Sequence, residues 1–412
     1  MLKTITILML LCFSFIKGQT QTQSLDYYLR QGLENSPLLK DYQNQINAAN
    51  VDSLLVRASQ KPQVDAKAQW LFAPTYNFFG YDEAITNGGN YTSVIEASQS
   101  FFNRKNLKNK YESLNIQKRS LVNTSKISTN DLKRLITNQY ITAYADNNDL
   151  LFNKTFLRLM HDEEDVIKKL VENAIYKQTD FLSLLIETQT QEILVKQLLS
   201  QFEKDIFILN QLCGINDTSH YELNFPVIQQ IKPTNLAFSP LFLQYKIDSL
   251  KIINEKSAVG LQYRPKLNWF ADAGLNTSPI DPFKHFGFSA GINFSVPIYD
   301  GKQKKLEYQK LSFSENTRTQ YESFFKSQYY QQIQQLNKEL TYTHEMADQL
   351  EKQLNTANEL IILAKAQLNN GNMPITDFLN ASKNYIKINR DLNQTQIKTL
   401  QIINELNYLM QQ

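Results

Sequence analysis

Cysteine is almost missing from this chain: its 412 residues carry only Cys12 and Cys213. That excludes a disulfide framework and a paired-cysteine metal site. Histidine is nearly as scarce, with four scattered residues, and there is no glycine-rich phosphate loop and no His-Glu-x-x-His. These absences leave no enzyme reading, no cofactor and no metal site. Glycine (12) and proline (11) are few for the length, which excludes a turn-rich all-β chain and favours long helices. Nor is there a strong charge of one sign. The formal net charge is +3, so no basic field argues for nucleic acid. Beyond the first 18 residues no apolar run approaches the ~20 residues of a spanning helix. If the chain crosses a membrane, it does so by strands.

What is present begins with residues 1–18: Lys3, an apolar core over 5–16, and Gly18 at a plausible cleavage point. This reads as a secretory signal peptide. Cys12 follows Leu10 and Leu11 rather than a small residue, which argues against an acylated N-terminus, and Cys213 is left as the one cysteine of the mature chain. Loss of Lys3 and Lys17 with the leader lowers the net charge to about +1.

Residues 286–298 separate by parity. Phe286, Phe288, Ala290, Ile292, Phe294, Val296 and Ile298 are apolar, and Gly287, Ser289, Gly291, Asn293, Ser295 and Pro297 lie between them. About 10 residues of such alternation suit a tilted membrane-crossing strand. Leu267, Trp269, Ala271, Ala273 and Leu275 alternate likewise just before, so the two runs form a hairpin. An earlier pair matches it. Val64, Ala66, Ala68, Trp70 and Phe72 share one face, the return strand contributes Tyr91, Ile95, Ala97 and Phe101, and Tyr76, Phe78, Phe79 and Tyr81 crowd the loop like an interfacial aromatic belt. A half-buried soluble hairpin is the alternative, and the leader and the recurrence weigh against it.

The chain says nearly everything twice. Ser36-Pro37-Leu38 returns as Ser239-Pro240-Leu241, and Lys61-Pro62 as Arg264-Pro265, both after 203 residues. Tyr111 and Leu114 return as Tyr308 and Leu311, and Thr179-Asp180-Phe181-Leu182 as Thr376-Asp377-Phe378-Leu379, after 197. The offset changes once, inside the hairpin, so the first hairpin loop is six residues longer. The expected plan is a first repeat over 19–214 (hairpin 63–102, long helix 103–172, return helix 180–213), a connecting segment over 215–238, and a second repeat over 239–412 (hairpin 266–299, long helix 301–370, return helix 376–410). A first helix over 24–60 and its twin over 236–263 precede the hairpins, ended by Pro62 and Pro265.

Each long helix of about 70 residues would reach roughly 100 Å. In the second, Ile333, Leu336, Leu340, Ala347, Leu350, Leu354, Ala357, Ile361, Ala364 and Leu368 form a 3,4-spaced seam broken at Thr343. The final helix repeats the pattern with Phe378, Ala381, Tyr385, Ile388, Leu392, Ile402, Leu406 and Leu409. His161-Asp162-Glu163-Glu164-Asp165 is the densest acidic run; five consecutive residues spread around a helix, which reads as a solvated face. Lys302, Lys304 and Lys305 read as snorkelling cations at headgroup level.

A leader, two copies of helix, hairpin, very long helix and return helix, the Val296-Pro297-Ile298-Tyr299-Asp300-Gly301 junction and the turn over 371–379 together resemble the TolC-like outer-membrane efflux proteins of Gram-negative bacteria. The resemblance covers essentially the whole mature chain. It implies an α+β membrane protein whose four strands per chain join a trimeric 12-stranded β-barrel, continued by a long α-helical barrel into the periplasm. It implies an exit duct of a tripartite efflux or type I secretion system, working with a periplasmic adaptor and an inner-membrane transporter, in contact with outer-membrane lipid. Strand arithmetic agrees with a homotrimer: twelve strands are the first multiple of four that leaves an open lumen.

By the same resemblance the turns between long and return helices form the periplasmic entrance. Asp377 matches the first acid of an aperture ring, Asn380 stands where a second acid is expected, and Asp180 takes the equivalent place in the first copy. Tyr176, Lys177, Gln178, Thr179, Gly371, Asn372, Met373 and Pro374 would form the adaptor-contacting tip. A simpler reading of the two acids stands beside this one. Each follows a threonine that can cap, and an acid in the first turn favours the helix dipole. The alternative for the whole chain is a periplasmic coiled-coil adaptor or scaffold with soluble hairpins.

Overall fold

A computed structural model describes residues 23–76, 78–82, 88–101, 104–216, 223–231, 239–278 and 286–410. The leader at 1–18, parts of both hairpin loops, and His220, Tyr221 and Pro233 of the connecting segment lie outside the described residues. In chain order the elements are α1 Leu25–Asn35, α2 Pro37–Ala58, β1 Gln63–Ala73, β2 Thr75–Tyr76, β3 Phe79–Gly80, β4 Gly88–Ser100, α3 Arg104–Glu172, α4 Gln178–Cys213, α5 Pro240–Gln262, β5 Lys266–Thr277, β6 Phe286–Ser295, α6 Gln303–Asn369 and α7 Ile375–Met410. They form two compact units. One gathers Asp41–Ser125 and Pro240–Phe325 and holds the strands; the other gathers the described residues of Lys126–Ser239 and Lys326–Gln412 with those up to Lys40. The units cut across the sequence repeat, because each takes matching pieces of both copies.

The expected helix over 24–60 is two helices. Ser36 has ψ 115°, outside the helical region. The ring of the following Pro37 disfavours helical backbone at Ser36, and Pro37 itself lacks the N–H that would continue the ladder. The Ser36 hydroxyl then caps the new helix by accepting the Leu39 N–H at 3.4 Å. The second copy starts α5 with the same Ser-Pro pair, at Ser239-Pro240.

In the strand-bearing unit the sheet order is β1-β4-β5-β6, all antiparallel, with β2 and β3 a separate small hairpin in the longer loop. The β4–β5 pairing joins the two copies, with Ile95 opposite Ala273 and Ala97 opposite Ala271. Register puts Trp70, Tyr91, Leu275 and Phe286 with their parity mates on one face. On the outer strands that face is bare within the chain, with Trp70 81% and Phe288 89% exposed, and on β5 it is half-buried. The opposite face is polar. Lys67 pairs with Glu96 at 2.7 Å, and the Ser289 hydroxyl donates to Asp272 at 2.6 Å. Phe270 falls on this polar face opposite Gly291, where a Cβ would stand 2.7 Å from its ring, so the missing side chain makes room for the aromatic. Gln99 ties the sheet to the end of α2: its amide donates to the Gln60 carbonyl at 2.6 Å while its oxygen accepts from the Trp269 indole at 3.1 Å. Among the described residues β1 and β6 each have one unpaired edge.

In the helical unit the expected seams are inside. Leu340, Ala357, Ile361, Ala364 and Leu368 of α6 are buried, as are Phe378, Ala381, Leu392, Ile402, Leu406 and Leu409 of α7. The breaks are satisfied polar groups: Thr343 donates to the Leu340 carbonyl and Thr395 to that of Asp391. Buried and half-buried amides fix the alignment of neighbouring helices. Gln191 donates to Asn153 at 2.8 Å, Asn404 to Asn138 at 2.8 Å, and Asn393 to Asp149 at 2.6 Å. Sliding either partner along the other strands a buried polar group at a cost of about 1–3 kcal/mol. A second core holds Tyr28, Ile136, Tyr140, Phe202, Leu209 and Cys213. Burial pushes the Cys213 thiol up to about 12, so it behaves as an apolar filler. The connecting segment lies against these helices: the Tyr140 hydroxyl is 2.8 Å from the Asn224 carbonyl, and Ile231 N–H donates to Asn407 at 2.7 Å.

Candidate functional site

The two turns that join each long helix to its return helix come together in the helical unit. Each long helix ends when one residue takes the left-handed conformation and the next amides fold back on the last carbonyls. In the second copy Gly371 has φ 72°, its N–H meets the Leu368 carbonyl at 3.0 Å, and Asn372 N–H meets Gln367 at 2.9 Å. In the first copy Ala174 has φ 59°, its N–H meets Val171 at 2.9 Å, and Ile175 N–H meets Leu170 at 2.9 Å. The turn is the same in both copies, with alanine in the left-handed place of the first.

A buried core beneath the turns is shared by all four helices. It includes Met160 and Ile167 of α3, Leu184 of α4, Leu368 of α6, and Ile375 and Phe378 of α7. Tyr176 closes it. Its hydroxyl lies 2.7 Å from the Met373 carbonyl and 2.9 Å from that of Leu368, so one proton is shared between the ends of the second turn. Gly371 packs so closely on the first turn that a Cβ would stand 2.6 Å from the Ile175 methyl. Tyr176, Gly371 and Met373 are therefore brought together, and Tyr176 and Met373 turn partly into the core. Lys177, Gln178, Thr179, Asn372 and Pro374 are exposed.

The acids divide. Asp180 is half-buried, and its carboxylate accepts the Lys177 N–H at 3.1 Å, closing the first turn of α4. Asp377 and Asn380 are exposed and lie three residues apart near the start of α7. Neither threonine is the cap, because α4 starts at Gln178 and α7 at Ile375, which places Thr179 and Thr376 inside the helices.

Two ion pairs near the turns were not legible in the sequence. Glu163 is only 1% exposed and meets Lys365 at 2.6 Å, which corrects the reading of 161–165 as a wholly solvated face. Lys383 meets Glu187 at 3.0 Å. Both tie the first helical hairpin to the second. Farther along α3, burial and the facing Asp205 push the Asp146 carboxyl up to about 7, and burial also raises Asp149. Asp205 itself is held by Gln139 and Gln201, at 3.0 and 2.7 Å. Among the described residues no group of three or more His, Cys, Asp or Glu is arranged to hold a metal, and no helix is long and apolar enough to cross a membrane.

No protein-family model matches the chain, and no curated protein matches it. Solved structures do. A membrane protein from Pseudomonas aeruginosa superposes with TM-score 0.77 at 14% identity, over 94% of this chain and 90% of that one. The Vibrio cholerae outer membrane protein VceC gives 0.76 at 12% identity, over 94% and 95%. The Campylobacter jejuni CmeC outer membrane channel gives 0.75 at 11%, over 94% and 85%. Across nearly its whole length the chain has the fold of these membrane proteins.

Proposed function

We propose that the chain is the outer-membrane exit duct of a tripartite efflux or type I secretion system: a passive conduit for cargo handed on by an inner-membrane transporter through a periplasmic adaptor. One observation carries this reading. The four-stranded sheet carries an apolar face on every strand, exposed on β1, β4 and β6 and half-buried on β5, opposite a face of Asp, Glu, Lys, Ser and Asn. In water so large an apolar surface would be a liability. In a bilayer it is what a lipid-facing strand needs, with the polar side toward a lumen. The unpaired edges of β1 and β6 would then be closed by further copies, three chains giving a 12-stranded barrel without edges.

On this reading the chain is an internal duplication with a signal peptide at 1–18, repeats over 19–214 and 239–412 and a connector over 215–238. It resides in the outer membrane of a Gram-negative cell and reaches into the periplasm. Asp377 and Asn380, with Asp180 behind them, would line the periplasmic aperture. The exposed Lys177, Gln178, Thr179, Asn372 and Pro374 would meet the adaptor, with Tyr176, Gly371 and Met373 shaping the turns beneath.

The test is extraction and conductance. The membrane fraction should release the protein only with detergent, as a species of three chains, and that species should form pores in planar lipid bilayers. Release into plain buffer as a monomer without conductance would replace the duct with a soluble scaffold.

A further inference from the structure

Cations gather at the helix-side end of the four-stranded sheet. Lys61 stands two residues before β1, Arg104 opens α3 just after β4, Arg264 stands two residues before β5, and Lys302, Lys304 and Lys305 follow β6. Each of the four strands thus has a cation close to its helix-side end. At the other ends, among described residues 74–76, 78–82, 88–91 and 276–278, the ionisable side chain besides tyrosine is Asp82; Glu83, Asp281, Lys284 and His285 of the same loops lie outside the described residues. Lys61, Arg104, Lys302, Lys304 and Lys305 are exposed. Beside them the apolar face continues to the junction, where Ile298 is 97% and Tyr299 85% exposed. Lys266 is left out of this group, because its parity places it on the polar face of β5.

Lys302 is held in a way that local stability does not favour. Its φ is +70°, directly after Gly301 at +61°, a conformation that costs a residue with a Cβ and suits glycine. The Asp300 carboxylate locks this turn by accepting the Lys304 and Lys302 N–H groups, both at 2.9 Å, and those bonds hold it below the usual carboxylate range. The neighbouring Lys304 ammonium lies over the Tyr263 ring at 5.6 Å. A strained backbone that nonetheless carries a long cation points to a use for the charge.

We infer that Lys61, Arg104, Lys302, Lys304 and Lys305 form a collar that binds anionic phospholipid headgroups where the strands leave the bilayer. The inference rests on the reading that the sheet lies in lipid. Its content is a preference: the lysine stems lie along the apolar border while the ammonium groups reach phosphate, and several cations at one level favour anionic over zwitterionic lipid. Asp300 stays ionised beside the collar and offsets one of its five charges, which leaves the rim net positive.

The test uses the full-length protein, delipidated in a neutral detergent and offered equal amounts of phosphatidylglycerol and phosphatidylcholine, with retained lipid read by native mass spectrometry. The wild type should retain phosphatidylglycerol about tenfold over phosphatidylcholine, and a Lys61→Gln, Lys302→Gln, Lys304→Gln, Lys305→Gln variant should lose that preference. Lys302→Gly separates charge from folding: it relieves the backbone, so it should unfold no earlier than the wild type yet retain less phosphatidylglycerol. A wild type that needs detergent but shows no preference, or a fourfold variant that keeps it, overturns the collar and leaves the duct standing. Displacement of the lipid by inorganic phosphate, or by an acidic peptide at equal concentration, would also overturn it. A chain that stays soluble without detergent and takes up neither lipid removes the membrane reading and the collar together.

Discussion

The Tyr176 hydroxyl donates to the Met373 carbonyl at 2.7 Å, and the two residues occupy the same place in the two copies, 197 positions apart. The duplication is therefore more than a sequence pattern, because equivalent residues meet where the helical turns converge. One copy supplies a side chain with a polar tip and the other supplies backbone. The helix-end carbonyl of Leu368, 2.9 Å from the same hydroxyl, gains a partner as well.

Removing only that hydroxyl should loosen the turns. Tyr176→Phe keeps the ring in the core and loses a hydrogen bond worth about 1 kcal/mol. Amide hydrogen exchange over 368–373 should then run about fivefold faster, with little change in the amides of α1. Unchanged exchange at the turn would mean that packing alone closes it.

The two left-handed positions should respond with opposite signs. Ala174→Gly relieves a backbone conformation that disfavours a Cβ and should stabilise the helical unit by about 0.5–1 kcal/mol. Gly371→Ala introduces the same strain and also drives a methyl against Ile175, 2.6 Å away, so it should cost about 2 kcal/mol or more. Thermal unfolding of both variants in one detergent checks the pair, and a shift in the same direction for both would refute the shared geometry.

How much of this was legible beforehand depends on the reach of the interaction. Alternation in β6 and the seam of α6 are set by burial at fixed periods; the strand keeps the expected parity but ends at Ser295, short of Ile298, and the seam is fully buried at Leu340, Ala357, Ile361, Ala364 and Leu368. The break at Ser36-Pro37 is also written locally, although long helical spacing on either side masks the single proline. The inward turn of Glu163 was not legible, since its partner Lys365 lies 202 residues away. Nor was the left-handed Ala174, because alanine carries no local signal for that conformation and only the matching turn around Gly371 reveals it.

Stability should depend on pH through Asp146. Its folded pKa, about 7, lies above that of an unfolded carboxyl near 4, because burial and the facing Asp205 disfavour the charge. The contribution is complete below about pH 4 and is lost as pH rises through about 7. Asp149 on the same helix and Asp205 on α4 face the group; Asn393 and Arg390 of α7 favour the charged form of Asp149. Asp146→Asn mimics the protonated form, so it should raise stability at pH 8 by about 1–2 kcal/mol, allowing for solvent screening of a half-buried group, and change little at pH 4. Equal destabilisation at both pH values would show that the amide disturbs packing instead.

The aperture assignment makes the last prediction. Asp377 is exposed, with the neutral Asn380 three residues on, and no carboxylate among its neighbours 374–380 duplicates its charge. Asp272 is differently placed: it accepts the Ser289 hydroxyl at 2.6 Å and lies opposite Glu96, which is itself paired with Lys67. In a threefold assembly, Asp377→Ala would delete a whole ring of charge from a narrow mouth, whereas Asp272→Ala would delete one of several charges in a wider lumen. The reversal potential of reconstituted channels in asymmetric potassium chloride should therefore move toward anions with Asp377→Ala and stay nearly in place with Asp272→Ala. If both variants match the wild type, Asp377 is a first-turn acid serving the helix dipole and the ion path is set elsewhere.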